Sequence, residues 1–363
     1  MKNQITLSDF EYDKTLDISS VLSDTISNTS FILGSSIHAF EEEFAQYTGS
    51  ESCVTTANCT DSLRMCLQSV GVGPGSNVIV PSFTWLSTAE VVKELYANPI
   101  YVDIDDSLCV DTTHLQLLVR QYNVDALIYV NLFGNVCDID QIKSICNKSK
   151  RNISIIEDNA QATGATYKDK PLGATNVLSC YSFYPTKNLS TWGDAGCVTG
   201  PEELVAPIRS LRNHGQGSEK FISRAVGWNS RMDTIHADIL RVKLPHLDTW
   251  NTRRKQIAEY YMDNIRIEHK LQLINPDCDP VYHQYSLLLD TPMQLQKHLT
   301  KCNIQSRTYY STPIHRLNAY ENGQRLPLTE FLGVRNLSIP VHQYLTDAQV
   351  EYIVESVNSC GLQ

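Results

Sequence analysis

Short apolar, β-branched runs along this chain alternate with stretches whose apolar residues recur at helical spacing. Runs at 77–81, 100–104, 126–130, 153–158, 180–183 and 197–199 read as strands. Amphipathic stretches at 60–70, 87–96 and 138–147 lie between several of them. This alternation predicts an α/β domain: a mainly parallel sheet covered by helices on both faces, with ligands at the carboxyl ends of the strands. Past residue 235 the texture changes. Long helices are expected at 234–247 and 252–265, a strand at 284–289, and helices at 293–302 and 346–357. Thr346 with Gln349 forms a capping-box start for the last helix. The pattern divides the chain into a large domain, 1–245, and a smaller C-terminal α+β domain, 246–363.

Composition narrows the function classes. The 363 residues are 42% hydrophobic and 19% charged, an ordinary globular balance with ample core. A formal net charge of −10 and no long basic run argue against a nucleic-acid surface. Eleven cysteines without a Cys-x-x-Cys pair point to reduced thiols in the cytoplasm, and away from a disulfide framework or structural zinc. The N-terminal residues carry no signal-peptide pattern, and no run is long enough to span a membrane. The expectation is a cytoplasmic protein with no membrane or nucleic-acid partner and no metal.

Two residues carry the chemistry. Lys187 follows the strand at 180–183, and Asp158 ends the strand at 153–158. A lysine and an aspartate leaving the carboxyl ends of buried strands are what pyridoxal 5'-phosphate requires: an amine for a Schiff base, and a carboxylate that keeps the pyridine nitrogen protonated. Desolvation at such a site would depress the lysine pKa. Taken alone, Asp158 also fits an acidic turn and Lys187 a solvated lysine. Gln161 could turn its amide toward the same ligand. Asn58-Cys59-Thr60-Asp61-Ser62-Leu63 precedes an amphipathic helix, so the backbone N–H groups of Thr60 and Asp61 are candidate anion donors, against a routine N-cap by Thr60. Ser182 could add a hydroxyl. Trp85, on a loop leaving a strand, could stack on a flat heterocycle or sit in the core. Gly71-Val72-Gly73-Pro74-Gly75 follows a helix and precedes a strand, the reverse of a dinucleotide fingerprint.

These segments resemble the DegT/StrS-type nucleotide-sugar aminotransferases, pyridoxal-phosphate enzymes of the aspartate-aminotransferase fold (fold type I), from about Phe31 to about Val357. The matching stretches are Asn58–Leu63, Val78–Thr84, Glu157–Gln161 and Ser182–Lys187. The resemblance implies a seven-stranded-type sheet in the large domain, Trp85 at the ring-stacking position, and glutamate as amino donor. Gly227-Trp228-Asn229-Ser230-Arg231-Met232 is similar to a family segment whose asparagine reaches the neighbouring subunit's cofactor phosphate. That implies a homodimer with shared active sites and a cofactor contact for Asn229, which alone reads as a turn residue. The segment 309–315 resembles the C-terminal substrate loop and brings in Tyr310, although Tyr309 stands where the family often has histidine. Cys59 and Ser62 replace the usual glycine and alanine of the phosphate loop. His214, Arg231 and His315 are candidates for the substrate's pyrophosphate.

Tyr184–Leu189 with Gly193–Gly196, and the stretch 243–251, look like enzymes acting on 3-keto-6-deoxy sugars. The favoured substrate is therefore a dTDP-3-keto-6-deoxyhexose. The alternative is amination at C4 of a UDP- or GDP-4-keto sugar. The product would be a deoxyamino sugar for a lipopolysaccharide O-antigen, another surface glycan or a glycosylated metabolite. A sugar dehydratase of the same family would carry histidine at Lys187, and a non-enzymatic regulator would be expected to lose Lys187 or Asp158.

Overall fold

The computed structural model describes residues 4–9, 15–28, 30–217, 219 and 221–361. In chain order its strands begin with β1 (Ser52–Thr56), β2 (Asn77–Pro81), β3 (Asn98–Val102), β4 (Ala126–Val130) and β5 (Ser154–Asp158). A short hairpin, β6 (Thr166–Tyr167) and β7 (Lys170–Pro171), leads to β8 (Leu178–Ser182) and β9 (Gly196–Gly200). Seven of these make one sheet in the order β1-β9-β8-β5-β4-β2-β3. Neighbours from β3 to β8 run parallel, whereas β9 is antiparallel to both β8 and β1.

Helices α1 (Ile18–Asn28), α2 (Ser35–Thr48), α3 (Cys59–Ser69), α4 (Ser87–Glu94), α5 (Thr112–Gln121), α6 (Ile139–Asn147), α7 (Glu202–Leu211) and α8 (Thr234–Lys243) cover this sheet. On one face Leu63, Val92 and Ile208 of α3, α4 and α7 pack against Val80, Ile128 and Val198. On the other, Leu115 and Ile142 of α5 and α6 meet Ile79 and Leu127. With both faces covered, β4, β8 and β9 are buried at every position.

The C-terminal unit contains α9 (Leu247–Asn264), β10 (Lys270–Leu271), β11 (Cys278–Asp279), β12 (Tyr285–Leu288), α10 (Pro292–Lys301), α11 (Pro327–Gly333), β13 (Asn336–Ile339) and α12 (Asp347–Asn358). Its core joins Ile257, Leu287, Leu299, Leu337 and Ile353 to Ile5, which bridges to Ile304. The intervening chain crosses back: Ile314 and Leu326 pack into the core of the large sheet. Thr346 caps α12 with the full capping box to Gln349.

Two differences from the sequence expectation have a clear physical cause. The helix expected at 234–247 stops at Lys243, because Pro245 introduces a tight turn before α9 starts at Leu247. Strand β1 was not anticipated, since Ser52-Cys53-Val54-Thr55-Thr56 looks too polar for a buried strand. Glu41 accepts from the Thr55 N–H and hydroxyl at 2.8 Å each, and Arg212 donates to the Thr55 carbonyl at 2.8 Å. Those bonds satisfy the polar groups that burial would otherwise leave stranded. Among the described residues no helix is long and apolar enough to cross a membrane.

Candidate active site

Sheet register brings the chemistry to one edge. Strands β5 and β8 are parallel neighbours with Asp158 opposite Cys180. Along the same edge Ser182 pairs with Gly196, and Gly196 pairs with Thr56 at the end of β1. Asp158, Ser182, the turn carrying Lys187 and the start of α3 therefore converge at the carboxyl ends of the strands. A Cβ added at Gly196 would lie 2.6 Å from the Asn58 carbonyl carbon and 2.7 Å from the Cys59 nitrogen. Only glycine lets α3 start so close to β9. Gly196→Val is expected to displace that helix start and weaken pyridoxal-phosphate binding by about tenfold or more, since overpacking typically costs 1–3 kcal/mol. Equilibrium dialysis with the cofactor measures this, and unchanged affinity would remove Gly196 from the site.

Asp158 is 5% exposed. One of its oxygens accepts the Ala160 N–H at 3.0 Å, and the other has no hydrogen-bond partner among the described residues. Burial pushes its pKa up to about 6, against the pull of the Ala160 N–H and the Lys187 amine. Lys187 sits in a turn closed by its own N–H to the Tyr184 carbonyl at 2.9 Å. Burial holds its amine below the usual lysine range, opposed by the Cys59 thiol and Asp158. The amine also makes no hydrogen bond among the described residues. A carboxylate oxygen of the buried Asp158 and the amine of the half-buried Lys187, each without a hydrogen-bond partner among the described residues, suit a cofactor whose pyridine nitrogen would donate to the first and whose aldehyde carbon would bond to the second. The residues present fit pyridoxal phosphate.

The phosphate end differs in detail from the expectation. Asn58, not Thr60, caps α3, and its carboxamide oxygen accepts the Asp61 N–H at 2.8 Å. The Asp61 amide expected to face an anion is thus already taken, and the Asp61 carboxylate pairs with Arg64. Thr60 keeps its place at the helix start, with its hydroxyl 2.7 Å from that of Ser87. Ser182 is buried, and its hydroxyl accepts the Tyr184 N–H at 3.4 Å.

Trp85 is 60% exposed, which removes the core alternative for it. Gln161 accepts the Phe133 N–H at 2.9 Å and donates to the Tyr310 hydroxyl at 3.1 Å, so it positions Tyr310 beside the edge. Tyr310 also lies parallel to Phe133 at 6.2 Å between ring centroids. Asn229, Arg231 and His214 cluster together, and the Ala57 N–H, donating to the Ser230 hydroxyl at 3.2 Å, ties that cluster to the start of α3. Arg231 donates to Asn213 at 2.8 Å and to Asn229 at 2.6 Å, while His214 is exposed in the left-handed region with φ 61°. The expectation that His315 meets substrate pyrophosphate does not survive its placement. It is fully buried, with its ring nitrogens against Ser82 at 2.6 Å and Glu330 at 3.0 Å.

Asn188 and His283 were missed. Asn188 donates to the Asn251 side-chain oxygen at 2.8 Å and the Val281 carbonyl at 3.1 Å. Its own oxygen then accepts from His283 Nδ1 at 3.1 Å, which pins the residue next to Lys187. Burial, then the charges of Lys187 and Arg254, hold His283 well below the usual imidazole range, so it is neutral. No local signal marks His283, because its partner lies far back along the chain.

Residues 13–358 match the DegT/DnrJ/EryC1/StrS aminotransferase family. The chain is 33% identical over 335 residues to a dTDP-3-amino-3,4,6-trideoxy-alpha-D-glucose transaminase of Streptomyces venezuelae, covering 90% of this chain and 87% of that protein. It is 34% identical over 336 residues to a UDP-2-acetamido-2-deoxy-3-oxo-D-glucuronate aminotransferase of Pseudomonas aeruginosa, covering 91% and 92%. The crystal structure of S. venezuelae DesV, in complex with a ketimine intermediate, superposes with a TM-score of 0.93 at 30% identity over 98% of both chains.

Proposed function

The chain belongs to the DegT/DnrJ/EryC1/StrS aminotransferase family, pyridoxal-phosphate enzymes of fold type I, and from that premise we propose that it transfers an amino group from glutamate to C3 of a dTDP-linked 3-keto-6-deoxyhexose. The observation that carries the chemistry is the pairing of the buried Asp158, with one oxygen unengaged, and the half-buried Lys187 amine, which makes no hydrogen bond among the described residues, at the adjoining ends of β5 and β8. The C3 assignment is supported by the segments at 184–196 and 243–251, and by a relative whose product bears its amino group at C3.

When bound, the cofactor would supply an electron sink for the charge left on a carbon that loses a proton. Lys187 would hold it covalently until the donor amine takes its place. Freed, the Lys187 Nζ would carry the proton away from the donor's α-carbon, and return a proton to the sugar carbon in the second half of the cycle. Its lowered pKa keeps more of the amine unprotonated, the form able to accept a proton. Asp158, ionised above about pH 6, would accept the pyridine N–H with its free oxygen. The α3 start with Thr60 and Ser182 would bind the phosphate, and Trp85 would lie against the ring. Asn229 would reach the phosphate held by a second copy of the chain, making a homodimer with shared sites. His214, Arg231 and Tyr310 would line the sugar-nucleotide side. The large domain, 1–245, would carry the cofactor and 246–363 would close over the substrate. A cytoplasmic location fits the cysteines, all free, and the amino sugar would enter an O-antigen, another surface glycan or a glycosylated metabolite.

The test is an absorbance titration of the cofactor-loaded protein with glutamate, followed by candidate keto sugars. Conversion by glutamate to the pyridoxamine form, then reversal by a dTDP-3-keto sugar and not by UDP- or GDP-4-keto sugars, is the expected result. Reversal by a 4-keto sugar instead would move the amination to C4. A loaded protein that ignores glutamate would overturn the choice of donor.

A further inference from the structure

His315, the histidine that turned inward, is fully buried with both ring nitrogens engaged. Nε2 faces a Glu330 carboxylate oxygen at 3.0 Å, so that nitrogen carries the proton. Nδ1 is then an acceptor, and the Ser82 hydroxyl donates to it at 2.6 Å. The same Ser82 oxygen accepts the His315 N–H at 3.1 Å, and the Ser82 carbonyl accepts the Ile314 N–H at 3.1 Å. Serine, histidine and glutamate in this order have the bonding of a hydrolytic triad. Ser82 is fully buried, however, and its oxygen is already occupied, so a substrate has no access to it. The arrangement joins segments; it does not attack.

The two segments it joins lie 233 residues apart. Ser82 follows the last residue of β2 and opens the loop Phe83-Thr84-Trp85 that leads toward α4. Ile314 and His315 close the loop that carries Tyr309 and Tyr310. Phe83 packs edge-on against Tyr310, with ring centroids 5.6 Å apart and planes at 90°. Tyr310 has φ 59°, a left-handed backbone that a non-glycine residue keeps when its surroundings impose it. The far end of the link is also fixed. Glu330 lies on α11 and accepts from Arg316 at 2.7 Å and from the Leu326 N–H at 3.2 Å. Asp103, just past β3, holds the start of α11 by accepting the Thr329 N–H at 2.8 Å and the Leu328 N–H at 3.2 Å.

We propose that His315 is a positioning residue: it locks the loop of Trp85 to the loop of Tyr310, so that the wall against the cofactor ring and the wall against the sugar form one unit braced on α11. The functional part rests on the reading of Trp85 and Tyr310 as cofactor-facing and substrate-facing residues. The link itself stands on the hydrogen bonds of Ser82, His315 and Glu330 alone.

Two measurements decide it. The first is amide hydrogen exchange on the cofactor-loaded protein, read by mass spectrometry over 82–88, 309–317 and, as a control, α5. His315→Asn keeps a group that reaches Ser82 but falls short of Glu330. It is expected to speed exchange about tenfold or more in both loops and not in α5. Faster exchange at 309–317 with 82–88 at the wild-type rate overturns the coupling. The second is a double-mutant cycle on pyridoxal-phosphate affinity, followed by equilibrium dialysis. His315→Asn alone is expected to weaken binding about tenfold, but less than about twofold in a Trp85→Ala protein, because it acts through the side chain that has been removed. Equal losses in both backgrounds mean that His315 serves stability alone, and overturn its positioning role. Should His315→Asn fail to fold, Ser82→Ala removes a single hydroxyl and carries both measurements. A Trp85→Ala protein of unchanged affinity counts against Trp85 at the ring, and hydrogen exchange then decides the coupling by itself.

Discussion

Lys187→Ala is expected to abolish covalent attachment of pyridoxal phosphate and to lower turnover by about 10⁴-fold or more. One residue supplies both the bond to the cofactor and the proton carrier, and proton transfer by itself is typically worth 10²–10⁴. Borohydride reduction of the loaded wild-type protein, followed by peptide mass mapping, should place the label on Lys187 and leave the variant unlabelled. Label on Lys243, a buried lysine of this region, would transfer the assignment to it. In cofactor-free protein the Lys187 amine should react with cyanate at lower pH than exposed lysines, since burial favours its neutral form.

Asp158→Asn should separate catalysis from stability. Turnover is expected to fall by roughly 10³-fold, because an amide does not hold the pyridine nitrogen protonated. The cofactor-free variant should nonetheless be more stable than wild type at neutral pH. Asp158 titrates near 3.8 when unfolded and at about 6 when folded. Below the lower value both states hold the proton, and its burial costs nothing. As pH rises through the window, the unfolded chain releases the proton first, so wild-type stability falls and the loss is complete above the folded value. Some two pKa units correspond to about 3 kcal/mol at most. Denaturant unfolding at pH 4 and pH 8 measures this. An advantage of Asp158→Asn at pH 8 that disappears at pH 4 is the expected pattern. Equal differences at both values would mean that Asp158 is solvated in the folded protein.

Much of the architecture was legible in order along the chain. Apolar runs announced β2 and β4 at their full length, and Thr346 with Gln349 announced the start of α12. Lys187 and Asp158 stood out for a similar reason: each follows a recognisable strand, and strand ends are where an α/β sheet presents its chemistry. Period, cap and turn signals are local, so they survive without the fold. Strand β1 did not show, because what makes its polar residues buriable is Glu41 and Arg212. The cap of α3 went to Asn58 rather than Thr60, a choice that depends on backbone geometry, with Asn58 extended at φ −168°. His315, read as a substrate contact, turned inward to Ser82 and Glu330, whereas His283 and Arg254, unremarkable in sequence, closed on the lysine turn. Sequence by itself determined which elements form and which residues could do pyridoxal-phosphate chemistry. Only the tertiary structure decided which polar groups are satisfied and which are not, because burial and hydrogen-bond partners come from residues brought together by packing, and those two quantities set a pKa or leave a polar group without a partner.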